Sequence, residues 1–226
     1  MGVTRPSAVV FDMDGLLLDS ERLARSSFVR ACRSFGWEPD MSVYNLCIGT
    51  PVDTTERILK ENFGSEFPYD AIREVWEKLY YDHALNRPID VKRGARALLG
   101  RLKTLAIPCA LVTSTERSTA IAKLSHTDLE GYFAHMVCGG EAARGKPHPD
   151  PYTEAIERLI VKPESCWALE DSDNGVRAAE AAGLEVFQIP DLLEPGAEVR
   201  EFGHHILADL TEVLELLNST IEPNCQ

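Results

Sequence analysis

Short, uninterrupted apolar runs alternate with helical patterns over most of this 226-residue chain. Such runs, bounded by Gly, Pro, Ser or Asp, are typical of parallel strands buried on both faces. The runs are Ala8–Phe11, Cys109–Val112, Met136–Cys138, Cys166–Leu169, Val186–Ile189 and Ile206–Ala208. The helical patterns between and after them are Ala95–Leu105, Ser118–Leu124, Pro151–Leu159, Val176–Ala182 and Leu210–Leu217. This alternation predicts an α/β fold with a doubly wound, Rossmann-like parallel sheet.

One segment near the start of the chain breaks the alternation. Its helical patterns are Glu21–Ser34, Val52–Asn62 and Tyr69–Ala84. The only strand-like run among them is a weak one at Val43–Ile48. We therefore predict a core domain formed by residues 1–19 and 89–226, and a small all-helical domain of residues 20–88 inserted after the first strand.

Charge and cysteine usage limit the environment of the protein. The formal net charge of −13 argues against general binding to nucleic acid or to an anionic membrane. No apolar run approaches the length of a membrane span, and the short run near the N-terminus does not suit a signal peptide. We expect a cytoplasmic monomer with reduced thiols. The cysteines, none of them in a C-x-x-C pair, are Cys32, Cys47, Cys109, Cys138, Cys166 and Cys225.

Polar and charged side chains lie at the predicted carboxyl ends of four strands. They are Asp12 and Asp14, then Thr113, Ser114 and Thr115, then Lys146 in the loop after the third strand, and finally Glu170 and Asp171. In a parallel sheet these ends face one crevice, where ligands bind at the switch in strand order. The crevice would therefore bring together carboxylates, hydroxyl groups and one ammonium group.

Two acidic clusters that meet in a crevice repel each other unless a positive charge lies between them. A divalent cation with oxygen ligands removes this repulsion, and Mg²⁺ suits a site with few carboxylates and room for water. Thr113 and Ser114 precede a helix, whose first N–H groups can bind an anion. Lys146 can approach both a phosphate and a carboxylate. The residues thus predict a phosphate site with a metal ion and a carboxylate nucleophile.

Four short motifs in this chain resemble those of the haloacid dehalogenase-like hydrolase superfamily, in its phosphatase and phosphomutase branch. They are "FDMDG", "LVTST", "GKPHPD" and "LEDSDNG", in the order of the family and over nearly the whole chain. The helical insert resembles the cap domain that some members carry after the first strand. The resemblance implies a Mg²⁺-dependent hydrolase acting on phosphoric monoesters.

The resemblance also implies roles for individual residues. Asp12 would attack phosphorus and form an aspartyl-phosphate, and Asp14 would protonate the leaving alcohol and later accept a proton from water. Thr113, the Ser114 backbone and Lys146 would hold the phosphoryl group.

The metal site implied by the same resemblance consists of Asp12, the backbone carbonyl of Asp14, Asp171 and Glu170. Whether Glu170 or Asp173 completes it stays open at this point.

The expected reaction is hydrolysis of a small phosphorylated metabolite, such as a sugar phosphate, a nucleotide or a similar monoester. A sugar phosphomutase of the β-phosphoglucomutase type is the alternative. Such mutases carry a His in the first cap helix and an Arg after a Gly in the next segment. Ala24 and Val52 occupy these positions here, which favours the phosphatase. A catalytically silent module that only binds phosphorylated ligands is a second alternative, although the nucleophile Asp12 is present.

Overall fold

The protein forms a six-stranded parallel sheet with helices on both faces. The computed structural model describes residues 3–50 and 52–221. The strands in those residues are β1 (Ala8–Phe11), β2 (Cys109–Glu116), β3 (Phe133–Gly139), β4 (Cys166–Glu170), β5 (Glu185–Gln188) and β6 (His205–Ile206). Their order in the sheet is β3-β2-β1-β4-β5-β6, and all pairs are parallel. This confirms the predicted α/β class with a doubly wound sheet.

Helices occupy most of the remaining described chain. They are α1 (Ser20–Ser34), α2 (Met41–Cys47), α3 (Val52–Phe63), α4 (Tyr69–Ala84), α5 (Ala95–Thr104), α6 (Arg117–Ser125), α7 (Asp150–Leu159), α8 (Asp173–Ala181), α9 (Ala197–Arg200) and α10 (Leu210–Ile221). Short 3₁₀ turns precede β3 and β4. No helix among the described residues combines the length and apolar character needed to cross a bilayer.

The sheet divides the core into two apolar layers, and its central strand β1 contributes to both. Because successive strand residues point to opposite faces, Val9 and Phe11 belong to one buried cluster while Ala8 and Val10 belong to the other. All four residues are buried, which explains why the run is continuous rather than alternating. The order of the strands reverses at β1, which pairs with β2 on one side and β4 on the other. Ligand sites of doubly wound sheets lie at this reversal.

Helices α1 to α4, which we call the helical segment, bury a third apolar cluster of their own. Phe28 of α1 lies at its centre, with ring centroids 5.0 Å from Tyr44 and 5.1 Å from Trp76. Phe28 is fully buried within this cluster. The segment therefore has an apolar interior distinct from the two layers that cover the sheet.

The weak strand-like run at Val43–Ile48 forms no strand, because Val43–Cys47 lies in α2 and Ile48 is the residue that ends this helix. Asp40 caps the helix: its side chain accepts hydrogen bonds from the Ser42 backbone N–H at 2.8 Å and from the Ser42 hydroxyl at 2.7 Å. The buried side chains of α2 are Val43, Tyr44 and Cys47. Their spacing of one and three positions fits one helix face and not a strand.

The two chain crossings between the helical segment and the sheet lie side by side. Asp19 N–H donates to the Asp90 carbonyl at 2.8 Å, and Lys92 N–H donates to the Leu17 carbonyl at 2.9 Å. This pairing lies where the sequence places the two linkers, but the domain boundaries at residues 20 and 88 stay a prediction.

The cysteines of the described residues are free and buried, namely Cys32, Cys47, Cys109, Cys138 and Cys166. Cys225 lies outside the described residues.

Candidate active site

Three carboxylates converge at the carboxyl ends of β1 and β4, the strands that flank the reversal in strand order. Asp12 follows β1, Glu170 is the last residue of β4, and Asp171 follows it. The two strands are in register, with Phe11 opposite Leu169. One carboxylate oxygen from each acid lies within 4.8 Å of those from the other two. The sheet thus brings together acids that are more than 150 positions apart in the sequence.

Lys146 lies within this group of acids. It comes from the loop between β3 and α7, and its side chain is 6% exposed. The Nζ atom donates to Asp12 Oδ1 at 2.5 Å, to Glu170 Oε1 at 2.6 Å and to the Val112 carbonyl at 2.9 Å. All donors of the ammonium group therefore have acceptors. One positive charge here opposes three acidic groups.

The remaining negative charge shifts the titration of the carboxyl groups. Burial raises the pKa of Asp12 to about 8; the charge of Lys146 and its hydrogen bond oppose this effect, while the charges of Glu170 and Asp14 add to it. Burial also raises the pKa of Asp171 well above its ordinary value, together with the charges of Asp12, Glu170 and Glu21. Carboxylates that are costly to ionise, with oxygen atoms close together, form a donor set that fits a divalent cation.

Two glycines allow the acids to approach the backbone. A Cβ atom at Gly15, where φ is +84°, would lie 2.1 Å from Asp171 Oδ2. A Cβ atom at Gly175, in the first turn of α8, would lie 1.9 Å from the carboxyl carbon of Glu170. Any larger residue at either position would displace a carboxylate of the site.

Asp14 lies near these acids, but its carboxylate contacts a different set of partners. Its Oδ1 atom accepts from Ser20 at 2.6 Å and from the buried Lys123 at 2.7 Å, and its Oδ2 atom accepts from Thr115 at 2.6 Å. Burial by itself would raise the pKa of Asp14. The Lys123 charge and the three hydrogen bonds outweigh burial and hold this pKa below its ordinary value. Asp14 is therefore ionised in this arrangement.

The two predicted phosphate-binding residues of β2 lie at the end of the strand next to β1. Thr113 is buried, and its Oγ1 accepts from the Thr115 backbone N–H at 3.0 Å. Ser114 is exposed. The register between β2 and β3 is irregular from Val112 to Glu116, so the backbone departs here from regular pairing.

The structure separates Asp173 from the acidic group. Its Oδ1 atom accepts from Gln188 at 3.1 Å, and its Oδ2 atom accepts from the Gly196 N–H at 3.0 Å. Glu170 instead contacts Lys146 and accepts a hydrogen bond from the Tyr152 hydroxyl at 2.5 Å. Of the two acids that the sequence left open as metal ligands, Glu170 lies beside Asp12 and Asp173 does not.

Three residues of this region were missed by the reasoning from sequence. Lys123 is a lysine on the buried face of α6, between Ala120 and Leu124, and this position was a readable signal. Tyr152 lies on the buried face of α7 directly after the lysine motif. Glu21 follows Ser20 in α1 and gives no signal beyond an acid in a first helical turn. Burial raises its pKa to about 7, and the charges of Asp14 and Asp191 add to this effect.

The chain is similar to known proteins over most of its length. A family model described as "Haloacid dehalogenase-like hydrolase" matches residues 9–189. A phosphorylated carbohydrates phosphatase of Thermotoga maritima is 32% identical over 217 residues, covering 95% of this chain and 99% of the relative. A fructose-1-phosphate phosphatase of Escherichia coli is 28% identical over 189 residues, covering 82% of this chain and 97% of the relative.

A solved structure is similar as well. The crystal structure of a hydrolase of the same family from Deinococcus radiodurans, with bound phosphate and sodium, has a TM-score of 0.81 and 25% identity to this chain. The alignment covers 98% of this chain and 97% of that one.

Replacing Gly175 by Ala tests the close approach of Glu170 to α8. Because the new methyl group would overlap the Glu170 carboxylate, we expect the free energy of unfolding in urea to fall by about 1–3 kcal/mol. Gly100→Ala is the matched control, since Gly100 also lies in a helix and has open space around it. This control should leave stability unchanged or raise it by up to about 1 kcal/mol. Equal stability of the two variants would contradict the packing described.

Proposed function

We propose that this chain, which belongs to the haloacid dehalogenase-like hydrolase family, is a Mg²⁺-dependent phosphatase that acts through an aspartyl-phosphate on Asp12. The two relatives described above are phosphatases, and the chain is a phosphoric monoester hydrolase. The identity of the metal, the covalent intermediate and the roles of individual residues are our inference. The observation that supports this inference is that Asp12, Glu170 and Asp171 converge beside Lys146.

Asp12 is the group we assign as nucleophile. One of its carboxylate oxygens attacks phosphorus while the bond between phosphorus and the alcohol oxygen breaks, and the phosphoryl group is transferred to Asp12. Water then attacks the same phosphorus, and the bond to Asp12 breaks to release phosphate. Lys146, which already contacts Asp12, favours the ionised nucleophile and offsets the charge of the phosphoryl group.

The acidic group has the donors for Mg²⁺. Asp12, Glu170 and Asp171 would hold it, together with the backbone carbonyl of Asp14. Oxygen ligands and few carboxylates suit this ion. When bound, Mg²⁺ supplies positive charge against the phosphoryl oxygens and the acids. The chain itself orients these acids through the register of β1 and β4 and through Lys146.

Asp14 is the group we assign as general acid and then general base. It would donate a proton to the oxygen of the leaving alcohol and later take one from the attacking water. In the structure it is ionised and bound to Lys123, Ser20 and Thr115. To act as an acid it must leave Lys123 and take up a proton. The contact with Lys123 therefore favours the form of Asp14 that serves the second step.

Thr113 and the Ser114 backbone are the phosphate-binding groups that we assign on β2. They lie on the neighbour of the strand that carries Asp12. The irregular backbone after Val112 leaves N–H groups outside regular pairing with β3. Such groups stabilise an anion without bringing further side-chain charge into the site.

The helical segment is proposed to act as a cap over this site. Its own apolar cluster and its two adjacent crossings support motion as a unit about the linkers. Closure of such a cap would exclude water from the first step. The boundaries at residues 20 and 88 are part of this proposal.

Hydrolysis is favoured over phosphoryl transfer within a sugar. Ala24 and Val52 lie in the helical segment where mutases of the resembled type have a His and an Arg, and neither side chain can bind an anion. Without such anchors nothing holds a reoriented intermediate against attack by water. A silent binding module is disfavoured because Asp12 and its contact with Lys146 are intact.

We also propose a reducing, cytoplasmic environment and a small phosphorylated metabolite as the substrate. The five buried, free thiols of the described chain support the first. The activities named for the relatives support the second. The monomeric state stays a prediction.

Asp12→Asn tests the nucleophile. The variant should fold normally and lose at least about 10³-fold in the rate of phosphate release from p-nitrophenyl phosphate with Mg²⁺, as expected when a covalent nucleophile is removed. Asp128→Asn is the matched control, because Asp128 is an exposed acid and its left-handed backbone also tolerates Asn. Near wild-type turnover by Asp12→Asn would contradict the assigned role.

The raised pKa of Asp12 predicts how pH changes stability and metal binding. Between the ordinary pKa of 3.8 and about 8, the folded metal-free protein keeps a proton on Asp12 that the unfolded chain releases. The contribution of Asp12 to stability therefore falls as pH rises through this window. Protons compete with the metal for the same oxygens, so the increase in Tm caused by Mg²⁺ should be larger at pH 8 than at pH 6.

Differential scanning calorimetry with Mg²⁺ or with EDTA measures this effect. In the Asp12→Asn variant, the Mg²⁺-induced increase in Tm should differ less between pH 6 and pH 8 than it does in the wild-type protein. A Mg²⁺-induced shift that is absent, or equal at both pH values, would count against the site.

A further inference from the structure

Two cavities meet at Glu21, at the boundary between the helical segment and the sheet. One, of about 290 Å³, lies among helices α1 to α4. The other, of about 210 Å³, reaches Asp171 of the acidic group. Glu21, Ile48 and Gly49 line both. A phosphoester held at the acids can therefore extend its alcohol portion past Glu21 into the larger cavity, and the size suits a small metabolite.

The charged residues along this route offer nothing for a second anion. Arg73 is the only basic residue among the described residues that line the larger cavity, and its Nε donates to Glu77 at 2.7 Å. The charged residues lining the smaller cavity are all acidic: Glu21, Asp171, Asp173, Asp191 and Glu194. Asp191 is offset by its ion pairs with Arg22 and Lys92. Even so, none of the described residues that line the two cavities supplies a cation without an acidic partner for an additional phosphate or carboxylate.

The carboxyl group of Glu21 is unpaired in the described structure. The described structure gives its carboxyl group no hydrogen bond or ion pair, although the side chain is mostly enclosed. Its neighbours on the helix differ in this respect, since Ser20 contacts Asp14 and Arg22 contacts Asp19 and Asp191. In either protonation state a carboxyl group can bind a hydroxyl group and offers no attraction to an anion.

Aromatic rings form much of the remaining wall. Tyr44, Trp76 and Tyr80 line the larger cavity, and the indole N–H of Trp76 already donates to the Ala24 carbonyl at 2.9 Å. What these rings offer a ligand is mainly their apolar surface. The C–H faces of a sugar ring or the base of a nucleoside can pack against such surfaces.

We propose that Glu21 selects substrates by accepting a hydrogen bond from a hydroxyl group of the leaving alcohol, and that this pocket admits uncharged polyols or nucleosides carrying one phosphate while rejecting substrates with a second anionic group. This inference rests on the proposed phosphatase activity at Asp12. It goes further because it names the residue that selects the substrate and the number of anionic groups that the substrate can carry.

Steady-state kinetics with phosphate esters of one sugar that differ in charge test the proposal. The substrates are fructose 1-phosphate, fructose 6-phosphate and fructose 1,6-bisphosphate, with p-nitrophenyl phosphate as a reference that lacks hydroxyl groups, at pH 8 with Mg²⁺. The better monophosphate should exceed the bisphosphate in kcat/KM by at least about 30-fold, since like charges oppose the second phosphate.

Two variants separate the parts of the proposal. Glu21→Gln should lower the ratio of kcat/KM for the monophosphate to that for p-nitrophenyl phosphate by about 10-fold, through the weaker hydrogen bond. It should also raise the ratio of bisphosphate to monophosphate, because a negative charge is removed. Glu77→Gln leaves Arg73 unpaired and should raise this second ratio by about 10-fold. Glu74→Gln, an exposed acid on the same helix outside the cavity lining, is the matched control and should change neither ratio.

Equal use of the bisphosphate by the wild-type protein would overturn the proposal, because it would mean that a basic residue outside the cavity lining reaches the pocket. A Glu21→Gln variant that loses activity equally on all substrates would also overturn it, since that result indicates a structural role. Failure of the proposed function looks different: no Asp12-dependent turnover of any substrate would be seen, including p-nitrophenyl phosphate.

Discussion

The contact of the buried Lys146 ammonium group with Asp12 and Glu170 is the interaction on which the site depends. Through it, the ends of β1 and β4 are tied to the loop before α7, and the Val112 carbonyl adds β2 to the same point. The ring of Tyr152 lies 5.3 Å from the same ammonium group. Removing one partner of a buried ion pair leaves an uncompensated charge, which is far more costly than losing a surface pair. Both the geometry and the charge balance of the acids thus follow from one side chain.

The fold explains why the acids meet at this point and why the helical segment adjoins them. In a doubly wound sheet, the carboxyl ends of the strands at the reversal border a crevice where ligands bind. Asp12 follows one of these strands and Asp171 the other. The sheet supplies rigid positions for the acids, while the helical segment contributes Glu21 and the aromatic walls. Under the two proposals, reaction and selection of the substrate belong to different parts of the chain.

Much of this could be predicted from the sequence, and the exceptions have physical reasons. Strand β1 was predicted to the residue because its continuous apolar run is too short for a helix and ends abruptly in acids. The run at Val43–Ile48 was not recognised as helical because its sequence resembles a strand. In the structure, the Asp40 cap and one buried helix face outweigh this β propensity. Lys123 was missed because a buried lysine is rare, and its partner Asp14 is 109 positions away. Glu21 could not be found, because its significance lies in the cavities that only the folded chain creates.

The central claim is that Asp12 carries the phosphoryl group between the two halves of the reaction. Rapid acid quench during turnover, followed by peptide mass spectrometry, measures this directly, because acyl phosphates survive in acid long enough to be located. The account predicts a phosphorylated peptide with the modification on Asp12, which disappears as substrate is exhausted. A phosphoryl group on a different residue, formed and consumed at the rate of turnover, would contradict it.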